Sequence, residues 1–249
     1  MILLRSILYA VWFYGSLAVV GLSGMPAAFV SRRAAMTTIR TWARAQVFGL
    51  RWICGIRTEY RGLDHLPQTG CILAIRHQST YDTIAPFLFT RDPAFVLKRE
   101  LLDAPVFGVF AKKGGMIPID RDGGMKTMKA MLAAARREAD AGREVLIFPE
   151  GTRQPIEAPL DLKPGVAGIY RALDAPCAPV ALNTGLCWPS SGFLRRPGTV
   201  VFEVLPPIEP GLSRDAFMTR LAEALEPATQ RLLEEGRANQ DRQRTPVRS

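Results

Sequence analysis

The stretch Gly70-Cys71-Ile72-Leu73-Ala74-Ile75-Arg76-His77-Gln78-Ser79-Thr80-Tyr81-Asp82 runs a strand into a turn and then into a helix start. Residues 70–76 form a short apolar run bounded by glycine and charge, the pattern of a strand rather than a helix. Ser79 is a good N-cap, so a helix begins at Thr80 with Asp82 in its third position. The strand delivers His77 to its end, where open α/β sheets place their reactive groups. Residues five apart on one helix point about 140° from each other and do not meet. Across a strand–turn–helix junction, the side chains of His77 and Asp82 can. The carboxylate then fixes the ring tautomer and raises the basicity of the other nitrogen. Ser79 and Asp82 also have the spacing of a capping box, in which Asp82 only satisfies a backbone amide. Both readings stay open at this point.

The same pattern recurs outward from this stretch. Residues 94–97, 115–119, 144–148, 178–182 and 199–205 read as further strands, and residues 80–89, 125–141 and 165–173 as helices between them. A last helix follows Ser213, kinks at Pro227 and stops near Gly236. This alternation predicts an α/β fold, an open mixed sheet covered by helices on both faces, with an N-terminal hydrophobic and amphipathic segment that binds membrane. The expected division is 1–54 for the membrane-attachment helices, 55–236 for the α/β domain and 237–249 for a basic, disordered tail.

Residues 6–30 contain no charged side chain, long enough for a helix that crosses a bilayer core. Gly21, Ser23, Gly24 and Pro26 interrupt the run and equally permit a bent, half-inserted hairpin. Next, Arg33, Arg40, Arg44 and Arg51 fall within about 20° of one line on a helix, opposite Trp42 and Ile53 with Ile39 and Leu50 beside them. That is the pattern of a basic helix lying on anionic lipid. The formal net charge of +9 points to an anionic partner without choosing which.

Of the four cysteines, Cys54, Cys71, Cys177 and Cys187, none pairs as Cys-x-x-Cys and neither histidine sits at a zinc-ligand spacing from one. They read as buried apolar residues of a reducing compartment, and no metal or cofactor is expected. His65, the other histidine, falls in a loop.

A second chemical string, Phe148-Pro149-Glu150-Gly151-Thr152-Arg153, follows the apolar run Val145-Leu146-Ile147. Gly151 permits positive φ, and Arg153 offers a planar fork for phosphate or carboxylate. Glu150 can hydrogen-bond a substrate hydroxyl, hold an arginine, or pair internally with Arg153. Arg121, after Gly115-Met116-Ile117-Pro118-Ile119-Asp120, and Lys98 end two more strands. Cations gathered near one histidine make an anion site.

The ordered set His77-x4-Asp82, Gly115 to Arg121, Phe148-Pro149-Glu150-Gly151-Thr152-Arg153 and Ala178-Pro179-Val180-Ala181-Leu182-Asn183 resembles the four blocks of the glycerolipid acyltransferase family. Within it, the chain is most similar to the bacterial 1-acyl-glycerol-3-phosphate acyltransferases. The resemblance covers residues 56–205. It implies acyl transfer from acyl-coenzyme A or acyl-carrier protein to a lysophospholipid hydroxyl, at the cytoplasmic face of the inner membrane, with no nucleic-acid partner. By resemblance, His77 is the base and Asp82 orients it. Arg121 contacts the acceptor phosphate, and Glu150, Gly151, Thr152 and Arg153 form the acceptor-binding loop; Lys98 joins them on its position alone. Arg76 departs from the family, which often has Asn before the histidine, and Asp120 stands beside Arg121. No Gly-x-Ser-x-Gly elbow is present, which favours direct transfer. The other readings are a different lysolipid acceptor or glycerol-3-phosphate, a thioesterase using His77 on water, and a non-catalytic lipid-binding protein.

Overall fold

The apolar run around Leu73 forms β2 (Cys71–Ile75), buried at every position, as a central parallel strand covered on both faces must be. The structure, a computed structural model, describes residues 1–120 and 124–244. In chain order the elements begin with helices α1 (Ile2–Val30) and α2 (Arg32–Gly49), the latter running into a π-helical turn, Leu50–Cys54. Then come β1 (Ile56–Arg61), β2, a short α3 (Pro86–Phe89), β3 (Pro93–Lys98), α4 (Phe107–Lys113) and β4 (Ile117–Ile119). The chain continues through α5 (Gly124–Asp140), β5 (Glu144–Ile147), α6 (Gly165–Leu173), β6 (Cys177–Leu182), β7 (Gly198–Val204) and α7 (Arg214–Arg244).

The strands join in the order β1-β7-β6-β2-β5-β3-β4. All neighbouring pairs are parallel except β6–β7, so the sheet is mixed. Alternate residues of β2 divide the core. Cys71, Leu73 and Ile75 pack into one buried cluster with Tyr9, Met36, Ala43 and Leu50 of the N-terminal helices. Ile72 and Ala74 face the other cluster, beneath α5, α6 and the first half of α7. The N-terminal helices therefore share the main core instead of hanging from it.

Several elements differ from the sequence reading. Strand β1, Ile-Arg-Thr-Glu-Tyr-Arg, went unpredicted because every second residue is charged and Ile56 is its one aliphatic side chain, so it does not read as an apolar run, as suits an edge strand. The helix expected over 80–89 is a 3₁₀ turn, Thr80–Thr83, followed by α3 with Pro86 at its first position. The last helix runs on to Arg244, and residues 237–244 are helical, not disordered. Gly236 is not a stop signal. A Cβ there would lie 2.5 Å from Leu186 Cδ1 and 2.9 Å from Asn183 Nδ2, so glycine lets α7 close onto the sheet. Residues 245–249 lie outside the described residues.

The N-terminal hairpin also differs. Helix α1 continues through Pro26, and the chain reverses at Ser31, whose side chain caps α2 by accepting from the Ala34 amide. Gly24 serves packing: a Cβ would sit 2.4 Å from Thr38 Oγ1. The apolar side of α2 meets the protein core, not lipid, since Met36 and Ala43 belong to it and Ile39, Trp42 and Val47 pack against it. Arg40 of the basic line is engaged too, donating to the carbonyls of Phe87 and Arg91. Most of the exposed apolar surface of these helices lies instead on α1, where Leu4, Ile7, Val11, Val19 and Leu22 are open to solvent, joined by Phe48 and Trp52 at the end of the second helix.

Candidate active site

Strands β2, β5, β3 and β4 run parallel and adjacent, so their C-terminal ends share one edge of the sheet. Ala74 pairs with Ile147, and that register continued three residues sets His77 level with Glu150. Two stretches seventy residues apart in sequence thus meet at one place.

His77 Nδ1 lies 3.1 Å from Asp82 Oδ2. The same oxygen accepts the Gln78 amide at 2.6 Å and the Ser79 amide at 2.7 Å. The capping box and the histidine contact therefore coexist on one carboxylate. Because a carboxylate only accepts, Nδ1 carries the proton and Nε2 is left with a lone pair. Asp82 is fully buried, while the His77 side chain retains 11% exposure. The His77 ring also stacks on Phe148 at 4.0 Å between centroids. A ring held by a carboxylate at one edge and an aromatic face on its side has a fixed orientation.

Glu150 makes neither a hydrogen bond nor an ion pair with Arg153. It is fully buried and accepts from Arg76 Nη2 at 2.8 Å, Arg76 Nε at 3.4 Å and the His77 amide at 3.1 Å. Both oxygens are engaged inside the protein, the arrangement of the arginine-holding alternative and not of a group facing the acceptor. Arg76, the departure from the family pattern, is its partner and is itself nearly buried. The pair forms a strut that joins the end of β2 to the loop after β5. A second tie runs between the same segments, the Gln154 amide donating to the His77 carbonyl at 2.7 Å.

Gly151 adopts φ 72°, the left-handed conformation expected of it, and closes a turn through its amide to the Phe148 carbonyl at 2.9 Å. Thr152 and Arg153 beyond it are exposed. Arg153 Nη1 donates to Thr80 Oγ1 at 2.9 Å, which holds the guanidinium over the helix start that carries Asp82. The amides of Gln78, Ser79 and Tyr81 are all spent on the Asp82 and Ser79 side chains, so they are not free to stabilise an oxyanion.

Residues 57–183, which contain every one of these groups, match the acyltransferase family. The chain belongs to that family. A 1-acyl-sn-glycerol-3-phosphate acyltransferase of Pseudomonas aeruginosa is 34% identical over 168 residues, 68% of this chain and 65% of that protein. A mouse 1-acyl-sn-glycerol-3-phosphate acyltransferase alpha is 30% identical over 170 residues, 66% of this chain and 60% of that one. The matched part thus spans less than two thirds of either relative. The crystal structure of the 1-acyl-sn-glycerophosphate acyltransferase PlsC from Thermotoga maritima superposes with a TM-score of 0.75, covering 94% of this chain and 97% of that one, at 21% identity. The two share a fold.

In this member of the family, the remaining predicted residues sit at varied distances from the pair. Lys98 is exposed at the end of β3, on the same edge and two strands from β2, about 10 Å at ordinary strand spacing. Strand β4 also ends on this edge, but Arg121 lies outside the described residues. His65 is elsewhere, its Nδ1 2.9 Å from the Val204 carbonyl at the end of β7. All four cysteines are buried and free. Burial pushes the thiol of Cys54 up to about 11 and those of Cys71 and Cys187 up to about 12, leaving little reactive thiolate near neutral pH. Sequence reasoning missed the Arg76–Glu150 strut, the Phe148 stack and the Thr80 anchor. The parallel register of β2 and β5 was the one signal that could have found the first two.

Proposed function

We propose that this acyltransferase moves an acyl group from acyl-coenzyme A or acyl-carrier protein to the sn-2 hydroxyl of 1-acyl-glycerol-3-phosphate, giving phosphatidic acid. The observation that carries this reading is the His77–Asp82 contact, with the imidazole opening onto the strand edge where Arg153 is anchored. His77 Nε2 takes the hydroxyl proton as the oxygen attacks the thioester carbonyl. Asp82 steadies the imidazolium that forms. The tetrahedral centre then collapses, the C–S bond breaks, and the thiolate recovers the proton. Arg153, with Lys98 at the same sheet edge, meets the acceptor phosphate, a role the family resemblance also gives Arg121; Gly151 and Thr152 shape the loop, and Glu150 acts by positioning.

Helix α1 accounts for the meeting with a lipid substrate. Ser6 near its start accepts the Arg195 amide at 2.8 Å, and Phe29 near its end lies 5.2 Å from the Lys113 ammonium. A helix tied to the domain at both ends, about 35 Å apart at 1.5 Å per residue, lies along the protein instead of leaving it to cross a bilayer. Its opposite face is apolar and exposed, so it rests in one leaflet, with the catalytic edge on the cytoplasmic side of the inner membrane.

The head-group assignment is tested by giving the purified protein a thioester donor and a panel of acceptors. Lysophosphatidic acid is expected to have the highest kcat/KM; preference for glycerol-3-phosphate or a lysolipid with a larger head group would overturn it. A second expectation concerns Asp82→Asn. An amide oxygen can still accept from residues 78 and 79, so the fold should survive. The amide NH₂ then replaces Asp82 Oδ1, which is buried without a partner among the described residues, at a cost of about 1–3 kcal/mol. Turnover should fall by no more than the about 10²–10⁴-fold expected for loss of the base itself, because Asp82 acts only through the ring. Thermal melting and steady-state rates on one preparation separate the two effects.

A further inference from the structure

The loop between β6 and β7 is built inside out. In Phe193-Leu194-Arg195-Arg196 the two apolar side chains are 46% and 38% exposed, whereas Arg195 turns inward. The Arg195 guanidinium lies 4.1 Å from the Trp188 ring centroid and 5.8 Å from that of Phe193, and donates to the Phe193 carbonyl. A loop facing only water would do the reverse, hiding phenylalanine and leucine and leaving arginine hydrated.

This loop is also fixed to α1. The bond from the Arg195 amide to Ser6 Oγ places it against the first turns of the helix, where Ile2 and Leu3 are exposed. Trp188, beneath the arginine, packs edge-on against Tyr9 at 5.5 Å and Phe13 at 6.1 Å. The Arg196 amide closes the loop base on the Cys187 carbonyl at 2.8 Å, and the Arg196 side chain remains exposed. The apolar tip is thus held at its base, beside the first turn of α1, and bordered by a cation. That is the arrangement of a surface segment whose apolar groups enter acyl chains while an arginine stays among phosphates.

We propose that residues 189–197 form a second membrane contact, with Phe193 and Leu194 entering the same leaflet as α1 and Arg196 meeting anionic lipid head groups. The proposal rests on the lipid-facing reading of α1. A single helix lying in a leaflet leaves the domain free to roll about its axis. A second contact beside that axis sets the roll, and with it the tilt of the catalytic edge toward the lipid.

The four native cysteines are buried, so single cysteines can be introduced and labelled on the folded full-length chain. Val19→Cys reports on α1, Phe193→Cys on the loop, and Ala133→Cys on α5, which packs on the other side of the sheet. Each carries an environment-sensitive fluorophore and is mixed with vesicles of phosphatidylcholine and phosphatidylglycerol. Labels at 19 and 193 are expected to shift to the blue and to be quenched by lipids brominated in the acyl chain, while the label at 133 does neither. A label at 193 that keeps its aqueous emission while the one at 19 shifts overturns the loop contact and leaves α1 standing. If neither moves, the lipid-facing reading of α1 falls and the loop contact with it. The Phe193→Ser, Leu194→Ser double variant removes only exposed side chains, so it should fold normally and bind the same vesicles about tenfold more weakly. Unchanged binding would also count against the proposal.

Discussion

His77→Ala is expected to lower kcat for acyl transfer by about 10²–10⁴-fold, the usual worth of a positioned general base, while KM for the lysolipid changes little. The acceptor phosphate is assigned to the cations, not the imidazole, which is why binding should survive. Stability should also survive in large part, since the ring is at the surface of its pocket and its loss leaves Asp82 with two backbone donors. A variant that retains full turnover would remove His77 from the chemistry. One that loses KM and kcat together would make it part of the binding site.

Breaking the strut should have the largest effect on stability. Arg76→Met leaves Glu150, fully buried, with only the His77 amide as donor, and Glu150→Leu leaves Arg76 buried and unpaired. Removing one partner of a buried ion pair costs about 3–5 kcal/mol, because the other charge remains desolvated. Replacing both charges with apolar groups of similar volume avoids that penalty, so the double variant should recover most of the lost stability. Activity is expected to behave differently. The His77 amide loses its acceptor in the double variant and the loop after β5 keeps only the Gln154 amide as its tie to the end of β2, so turnover should stay low even where melting is restored. Chemical denaturation and steady-state kinetics on the two singles and the double complete the cycle. Full recovery of turnover in the double variant would reduce the strut to a packing device.

The α/β class was legible because buried parallel strands such as β2 and β5 read as unbroken apolar runs, and their spacing by helical stretches leaves few other architectures. Strand β1 was not legible, since its alternating charges look like a polar segment until β7 is placed beside it. Gly236 misled for a related reason: a glycine required by a neighbour's side chain is indistinguishable, in sequence, from one that ends a helix. At the site, His77 and Asp82 could be paired because the turn between them is local. Glu150 could be seen as important but not assigned, since its partner Arg76 becomes a neighbour only through the sheet register. The arginine line on α2 was visible as a line, yet which side of the helix meets protein and which meets lipid is decided by the packing of α1 and the sheet against it.

The central claim is direct transfer, in which His77 activates the acceptor hydroxyl and no acyl group rests on the protein. Incubating the purified enzyme with a labelled acyl thioester, first alone and then with lysophosphatidic acid, tests it by intact-protein mass and lipid products. Donor alone should give neither an acylated protein nor appreciable hydrolysis, and adding the acceptor should convert thioester to phosphatidic acid acylated at sn-2. A stable acyl adduct on the chain, or thioester hydrolysis at the same rate with and without acceptor, would contradict it.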